Sequence, residues 1–176
     1  ESRGLGDVYK RQSITYVDAL YTAVSALCVT GLSIVDTAAV FNPFGQAILA
    51  VLIQVGGLGV STMGAGVLLM LGRKVGIRQR NLIHDTMNLD SYSGVVRFLR
   101  TLFATTVFIE IIGAFLGYFV FRRDYEMMES IGLSIFHSIS SFNNAGLTIL
   151  TKERSMEMYA EDPFMLILTT APVSYT

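Results

Sequence analysis

An internal repeat is the feature of this sequence that most restricts its fold. Residues Ala19 to Ile34 align with residues Ser134 to Ile149 without a gap, at a constant offset of 115 residues. The identical pairs are Ser25 with Ser140, Gly31 with Gly146, Leu32 with Leu147, and Ile34 with Ile149. Because an internal repeat indicates architecture better than any single motif, we expect the chain to use one structural unit at least twice.

The first copy of the repeat has the order short helix, glycine loop, long apolar segment. Residues 18–28 are too few and too polar to cross a membrane, so they predict a pore helix, and Val29 to Leu32 follow as a loop. Residues 44–72 contain no charged side chain. At ~1.5 Å rise per residue they exceed the ~30 Å hydrocarbon core and predict a transmembrane helix. Non-helical backbone at membrane depth must be buried in protein or line a watery cavity, which favours a re-entrant pore loop.

The second copy of the repeat predicts the same elements. Residues 98–121 predict a transmembrane helix, 132–142 a pore helix and 143–147 its loop, and Pro163 opens a further helix over 163–172. The connection over 73–97 has an excess of basic residues, namely Arg73, Lys74, Arg78, Arg80 and Arg97. By the positive-inside rule this connection is expected to be cytoplasmic.

Composition agrees with a membrane protein and excludes several other classes. Hydrophobic residues make up 52% of the chain and charged residues only 15%, which is too apolar for a soluble domain of this size. The net charge of −1 indicates no nucleic-acid partner. Cys28 is the single cysteine, so the chain can form neither an internal disulfide nor a cysteine-based metal site. No HExxH motif and no catalytic Cys/His or Ser/Lys spacing occurs in the apolar segments, so no enzyme is predicted.

Two stretches carry a resemblance to a known family. They are VSALCVTGLSIVDTAAVFNPFGQAILAVLIQVGGLG and SIFHSISSFNNAGL, which resemble the first and second pore units of the Trk/Ktr/HKT potassium-transporter superfamily. The motifs CVTGL and IQVGGLG are most similar to those of the Ktr-type membrane subunit, and the resemblance covers residues 13–170. It implies an all-α membrane protein with a potassium-channel-like fold, in which four helix–pore loop–helix units surround one ion pathway.

The resemblance also implies a site and a function. The implied selectivity filter consists of Val29, Thr30, Gly31, Leu32, Asn143, Asn144, Ala145 and Gly146. In such a filter backbone carbonyls replace the water around potassium, here at Thr30, Gly31, Ala145 and Gly146. Ala145 departs from the first copy because it lacks the hydroxyl group of Thr30. The implied activity is potassium uptake across the cell membrane by a multi-pass subunit, with sodium as a candidate coupling ion and no covalently bound cofactor. The implied partners are membrane lipid, a second copy of the subunit and a cytosolic nucleotide-binding regulatory subunit.

Four further residues are expected to have structural roles. Glu110 lies within a predicted span, where an ionised carboxylate costs about 2.5–3.5 kcal/mol, so we rank a structural hydrogen bond above an ion site. Gly113 and Gly117 form a GxxxG pair, and Gly57 belongs to a stripe of small residues suited to helix packing. The alternative for the glycine-rich segment is a helix that breaks near Gly56, Gly57 or Gly59.

Both ends of the chain resemble sequencing artefacts. Residues 1–12 are similar to the translation of a transposon adapter used in sequencing libraries, and residues 173–176 to part of its reverse complement. We exclude both ends from fold reasoning. The chain is therefore expected to be a fragment of a larger subunit, with two of four filter segments. The alternative is a structural or non-transporting membrane protein fragment.

Overall fold

The structure is a computed structural model that describes residues 15–71, 76, 77, 81, 85 and 95–150. Six α-helices have both ends within this part: α1 Tyr16–Leu27, α2 Thr37–Val40, α3 Pro43–Leu58, α4 Val60–Met70, α5 Val95–Phe121 and α6 Met127–Phe142. The described residues contain no β-strand, so the all-α prediction is confirmed. Most of the predicted connection 73–97, the predicted helix 163–172 and both adapter-like ends lie outside the described residues.

Polar side chains define where α1 and α3 begin. The N–H of Thr15 donates to Asp18 Oδ2 at 3.3 Å, and the carboxylate is favourable beside the positive end of the α1 dipole. Asn42 Oδ1 accepts from the N–H of Gly45 at 2.8 Å at the start of α3. Pro43 occupies the first turn, where its missing N–H has no helical partner to lose. The helix therefore begins at Pro43, next to the predicted bound.

The predicted single helix over 44–72 is two helices in the structure. α3 ends at Leu58 and α4 begins at Val60, and their axes differ in direction by 109°. The break lies at Gly59, whose backbone adopts φ 81° and ψ 137°. This conformation is essentially restricted to glycine because a Cβ atom would clash with the backbone. The alternative of a helix broken near the glycine cluster therefore describes this segment better than one continuous span.

α3 has a central place in the packing. It contacts α1 on one side and α6 on another, while α4 contacts α3 and α5, and α5 packs along α6. The buried core includes residues from α1, α3, α5, α6 and the segment after α6: Ala26, Leu49, Ile53, Val120, Phe121, Leu133, Phe136, Ala145, Leu147, Ile149 and Leu150. Because α3 lies between α1 and α6, it determines how their C-terminal ends are arranged.

α5 is the described helix that is long and apolar enough to cross a membrane by itself. It has 27 residues, and its most apolar window has a mean hydropathy of 1.9. The bent pair α3 and α4 passes the same test if both helices are taken as one span. Gly113 and Gly117 of α5 are both buried. Since small residues allow close helix approach, these positions suit the contact between α5 and α6.

The break at Gly59 gives a first prediction. Gly59→Ala should destabilise the protein by about 1–3 kcal/mol, because alanine pays the steric cost of this backbone conformation. Gly132→Ala is the matched control, since an added Cβ at this helical position meets nothing within 4 Å. The control should be neutral or stabilising by up to ~1 kcal/mol. Thermal unfolding of the full-length protein in detergent measures both, and equal midpoints for the two variants would contradict the assignment of the break.

Candidate functional site

The first glycine loop begins at the end of α1. The N–H groups of Cys28, Val29 and Thr30 donate at 2.8, 3.3 and 3.1 Å to backbone carbonyls of the last turn of α1. The acceptors are Val24, Ala26 and Ser25, in that order. The backbone then has positive φ at Val29 (56°) and at Gly31 (72°), but not at Thr30 between them. A β-branched residue with positive φ is uncommon and costs of order 1–3 kcal/mol, so the surrounding contacts must hold Val29 in place.

The second glycine loop has the same backbone pattern at the end of α6. The N–H groups of Asn143, Asn144 and Ala145 donate at 3.1, 3.2 and 2.8 Å to the carbonyls of Ile139, Ser141 and Ser140. Positive φ occurs at Asn144 (54°) and at Gly146 (67°). Each donor residue, each acceptor residue and each residue with positive φ lies 115 positions after its counterpart in the first loop. The two stretches that align in sequence therefore also share their local backbone geometry.

The two loops differ in how equivalent serines support them. Ser25 Oγ lies 2.8 Å from Thr30 Oγ1, within hydrogen-bond distance. Ser140 Oγ instead donates to the carbonyl oxygen of Leu147 at 2.6 Å. Ala145, the equivalent of Thr30, has no hydroxyl group, so Ser140 uses a backbone acceptor beyond the glycine. One side-chain difference therefore changes which atom of the loop the serine holds.

The two loops face each other through their backbones. A Cβ atom added to Gly31 would lie 2.6 Å from the carbonyl oxygen of Ala145 and 3.4 Å from Gly146 Cα. A Cβ atom added to Gly146 would lie 3.6 Å from Gly31 Cα. The Thr37 hydroxyl, after the first loop, donates to the carbonyl oxygen of Thr148, after the second loop. The structure thus brings both predicted filter glycines together.

Burial differs between the loops. Ala145 is fully buried, and Leu147 is only 4% exposed. Leu32, the equivalent of Leu147 in the first loop, is 60% exposed. Alternate residues of the second loop, Asn143, Ala145 and Leu147, are therefore buried, whereas Asn144 and Gly146 are exposed.

The Asn143 side chain is directed to α3. Its Nδ2 atom donates to Gln54 Oε1 at 2.9 Å and to the carbonyl oxygen of Ile139 at 2.9 Å. Gly57 lies directly against it, since a Cβ atom at Gly57 would come within 1.9 Å of Asn143 Oδ1. Because Oδ1, the atom of the amide that could bind a cation, packs against the α3 backbone at Gly57, we expect an ion ligand at Asn143 to be its backbone carbonyl.

Glu110 is connected to the same region by two contacts. Its carboxyl group hydrogen-bonds to the Gln54 side chain, and its backbone carbonyl accepts from Ser138 Oγ at 2.8 Å. Glu110 Oε1 is buried and has no hydrogen-bond partner among the described residues. These contacts fit the structural role expected for Glu110, and they connect α5 to α3 and α6.

Gln54 is the residue of this site that the sequence interpretation missed. It bonds to Asn143, 89 positions away, and to Glu110 on a different helix. The signal that could have identified it is a single amide side chain in the middle of an apolar segment, where polar groups are costly unless they are paired.

The described residues contain no group of three or more His, Cys, Asp and Glu side chains that could hold a metal ion. Backbone atoms form the contact between the two loops, and those that could bind a cation are carbonyl oxygens such as that of Ala145. Such groups suit a monovalent cation that moves through a site, because they bind without a fixed negative charge.

Paired glycine loops at the ends of short helices, together with a long apolar helix, indicate an all-α membrane transport protein. The comparison with protein families specifies this class further. The model of the TrkH family, described as cation transport protein, matches residues 3–173, and the chain belongs to this family. Because this is a family of transporters, the chain is not an enzyme, and a membrane location follows from the family and from α5.

Three relatives show the similarity in detail. The chain is 36% identical over 157 residues to the Ktr system potassium uptake protein B of Bacillus subtilis, which is 89% of this chain and 35% of that protein. It is 35% identical over 156 residues to the Ktr system potassium uptake protein D of the same organism, 88% of this chain and 34% of that protein. It is 36% identical over 139 residues to the potassium/sodium uptake protein NtpJ of Enterococcus hirae, 79% of this chain and 31% of that protein. The chain thus spans about a third of the length of these relatives.

The serine contacts give a second prediction. Ser140→Ala should destabilise the protein by about 1–3 kcal/mol, because the buried carbonyl of Leu147 would lose its donor. Ser141→Ala is the matched control, since Ser141 is only half-buried and makes a longer contact of 3.3 Å with His137 Nε2. Its effect should be clearly smaller. Unfolding midpoints in detergent check this, and a control as destabilised as Ser140→Ala would refute the special role of the Leu147 carbonyl.

Proposed function

We propose that this chain supplies two pore loops of the ion-translocating subunit of a Trk/Ktr-type potassium uptake system. The observation that carries the proposal is the pair of facing loops with equivalent backbone hydrogen bonds and equivalent positive φ values. The relatives are named potassium uptake proteins and a potassium/sodium uptake protein, which supports the choice of ion. The alternative is a structural or non-transporting membrane protein fragment.

The proposed chemistry is the exchange of water ligands for carbonyl ligands. In each loop φ alternates from positive to negative to positive over three residues, at 29–31 and at 144–146. We infer that this alternation turns successive peptide groups so that their carbonyls point to one side, where they can replace the hydration shell of potassium. In this proposal the ion binds the carbonyls of Thr30 and Gly31 from one loop and of Ala145 and Gly146 from the other, with Val29, Leu32, Asn143 and Asn144 completing the filter segments.

The rest of the proposed transporter lies beyond this chain. Four such units around one pathway require two more loops, and the chain spans about a third of its relatives, so we propose a longer multi-pass subunit in the cell membrane. We further propose that the subunit forms a homodimer and works with a cytosolic nucleotide-binding regulatory subunit. Sodium enters this proposal as a possible coupling ion and as a competitor for the filter.

The filter glycines give the third prediction, which tests the proposed function. Gly31→Ser should lower the apparent potassium affinity and narrow the preference for potassium over sodium, because its Cβ would overlap the Ala145 carbonyl at 2.6 Å. Gly146→Ser should act in the same direction but less strongly, because its Cβ would meet Gly31 Cα at an ordinary 3.6 Å while φ stays at 67°. A difference of ~1.4 kcal/mol between the penalties for potassium and sodium changes the ratio of their binding constants about tenfold.

The measurement is rubidium uptake by transport-deficient cells that express the full-length subunit, with sodium as competitor and membrane protein level as normalisation. Gly132→Ser provides the control, since it makes the same chemical change where an added Cβ has open space. It should leave affinity and selectivity unchanged. If both filter variants behave like this control, the glycines do not line the ion path and the proposal of a filter at these loops fails. Absence of uptake by the unmodified subunit would instead favour the non-transporting alternative.

A further inference from the structure

α3 contacts the ends of both pore helices with two adjacent glycines. A Cβ atom at Gly56 would lie 1.9 Å from the carbonyl oxygen of Leu27, at the end of α1. A Cβ atom at Gly57 would lie 1.9 Å from Asn143 Oδ1, at the end of α6. The backbone of α3 thus lies directly between the residues from which the two loops start, and any shift of Asn143 along α3 changes how the loops face each other.

A chain of three polar side chains fixes Asn143 on α3. We call Asn143, Gln54 and Glu110 the polar relay. Asn143 Nδ2 donates to Gln54 Oε1 at 2.9 Å, and the Gln54 side chain also hydrogen-bonds to the Glu110 carboxyl group. Since Gln54 Oε1 already accepts from Asn143, the group left for Glu110 is the Nε2 donor. The orientation of the Gln54 amide is therefore set from both ends of the relay.

The relay lies where hydrogen bonds have large effects. Asn143 is only 8% exposed, and the groove beside Gln54 and Glu110 is lined mainly by apolar side chains such as Val51, Leu58 and Val107. In such surroundings an unpaired polar group is costly, so the relay should favour a single arrangement over many similar ones. A fixed Asn143 in turn fixes the start of the loop that carries Ala145 and Gly146.

We propose that Gln54 is a positioning residue that holds the second loop in the geometry that discriminates potassium from sodium. This inference rests on the proposed function and deepens it, because it assigns part of the ion selectivity to a side chain outside the two loops. Gln54 itself does not touch the ion. It acts through Asn143, and Glu110 acts through Gln54 by setting the direction of its amide.

A charge swap tests the inference in the full-length subunit. In Gln54→Glu the new carboxyl group can still accept from Asn143, but it has no N–H group for Glu110, and the two facing carboxyl groups can hydrogen-bond only if one of them takes up a proton. In Glu110→Gln the amide can still accept from Gln54. In the double variant Gln54→Glu with Glu110→Gln, the carboxylate at 54 accepts from Asn143 on one side and from the new amide on the other. The double variant therefore rebuilds the relay with the same atoms in exchanged positions.

The readout is rubidium uptake with sodium as competitor, at normalised membrane protein level. Gln54→Glu should reduce the potassium-over-sodium preference about tenfold, as expected for the loss of a buried hydrogen bond to a charged group. Glu110→Gln should change it less, and the double variant should recover most of the loss. Gln46→Glu is the matched control, because Gln46 lies on the same helix but donates to the carbonyl oxygen of Phe41, away from the loops. This control should keep the selectivity of the unmodified protein.

Several outcomes would overturn the inference. One is a Gln54→Glu variant as selective as Gln46→Glu, and another is a double variant as impaired as Gln54→Glu. A third is a Gln54→Glu variant whose membrane protein level and maximal uptake rate are both reduced while its potassium-over-sodium preference is unchanged. That result indicates a merely structural role. If Gln54→Glu does not accumulate, Gln54→Met removes both hydrogen bonds without adding charge, and unchanged selectivity in that variant likewise refutes the inference. The proposed function fails separately, when Gly31→Ser and Gly146→Ser leave uptake unaltered.

Discussion

Close backbone contact at Gly56 and Gly57 is the constraint on which the arrangement of both loops depends. Neither position has space for a Cβ atom, because the carbonyl of Leu27 and the amide of Asn143 occupy that space. The separation of the C-terminal ends of α1 and α6 is therefore set by the thickness of one helix backbone. The contact of Gly56 with Leu27 is between backbones and cannot rearrange by changing rotamers. The contact of Gly57 is with the Asn143 side chain, whose rotamer is held by the hydrogen bond to Gln54. Because this separation is fixed, Gly31 and Gly146 lie next to each other.

The contacts around α3 combine small residues with a few polar groups. Small residues bring backbones close, and hydrogen bonds between helices then define how they are aligned. Gln54 is suited to the second task because an amide has both a donor and an acceptor, so it can join a donor on one element to an acceptor on another. Its two partners come from α5 and from the second loop. One side chain of the first repeat unit thus connects two elements of the second unit.

The sequence predicted the elements that depend on local pattern and missed those that depend on distant partners. The repeat placed both loops, because Gly31 and Gly146 occupy equivalent positions, and helix starts such as Pro43 followed from capping chemistry. The break in the 44–72 segment was not predictable in position, because several of its glycines are equally able to break a helix, and only the fold selects Gly59 for a positive φ. The Gln54–Asn143 bond spans 89 positions, so no local pattern could indicate it. The sequence indicates that Glu110 needs a hydrogen-bond partner, but it does not indicate that the partner is Gln54.

The two loops show how a repeat can keep its backbone while its chemistry diverges. In the first loop the serine bonds the hydroxyl of Thr30, whereas in the second loop the equivalent serine bonds the carbonyl of Leu147. A carbonyl that already accepts a short hydrogen bond of 2.6 Å has less electron density to offer a cation. In the proposed pathway the second loop therefore binds the ion through the carbonyls of Ala145 and Gly146 and not through that of Leu147. In the first loop the carbonyl of Leu32 accepts no hydrogen bond from Ser25, because Ser25 bonds the hydroxyl of Thr30. In this proposal an ion that passes along the two loops meets carbonyl ligands of unequal strength, and the preference for potassium over sodium depends on how firmly the second loop is held.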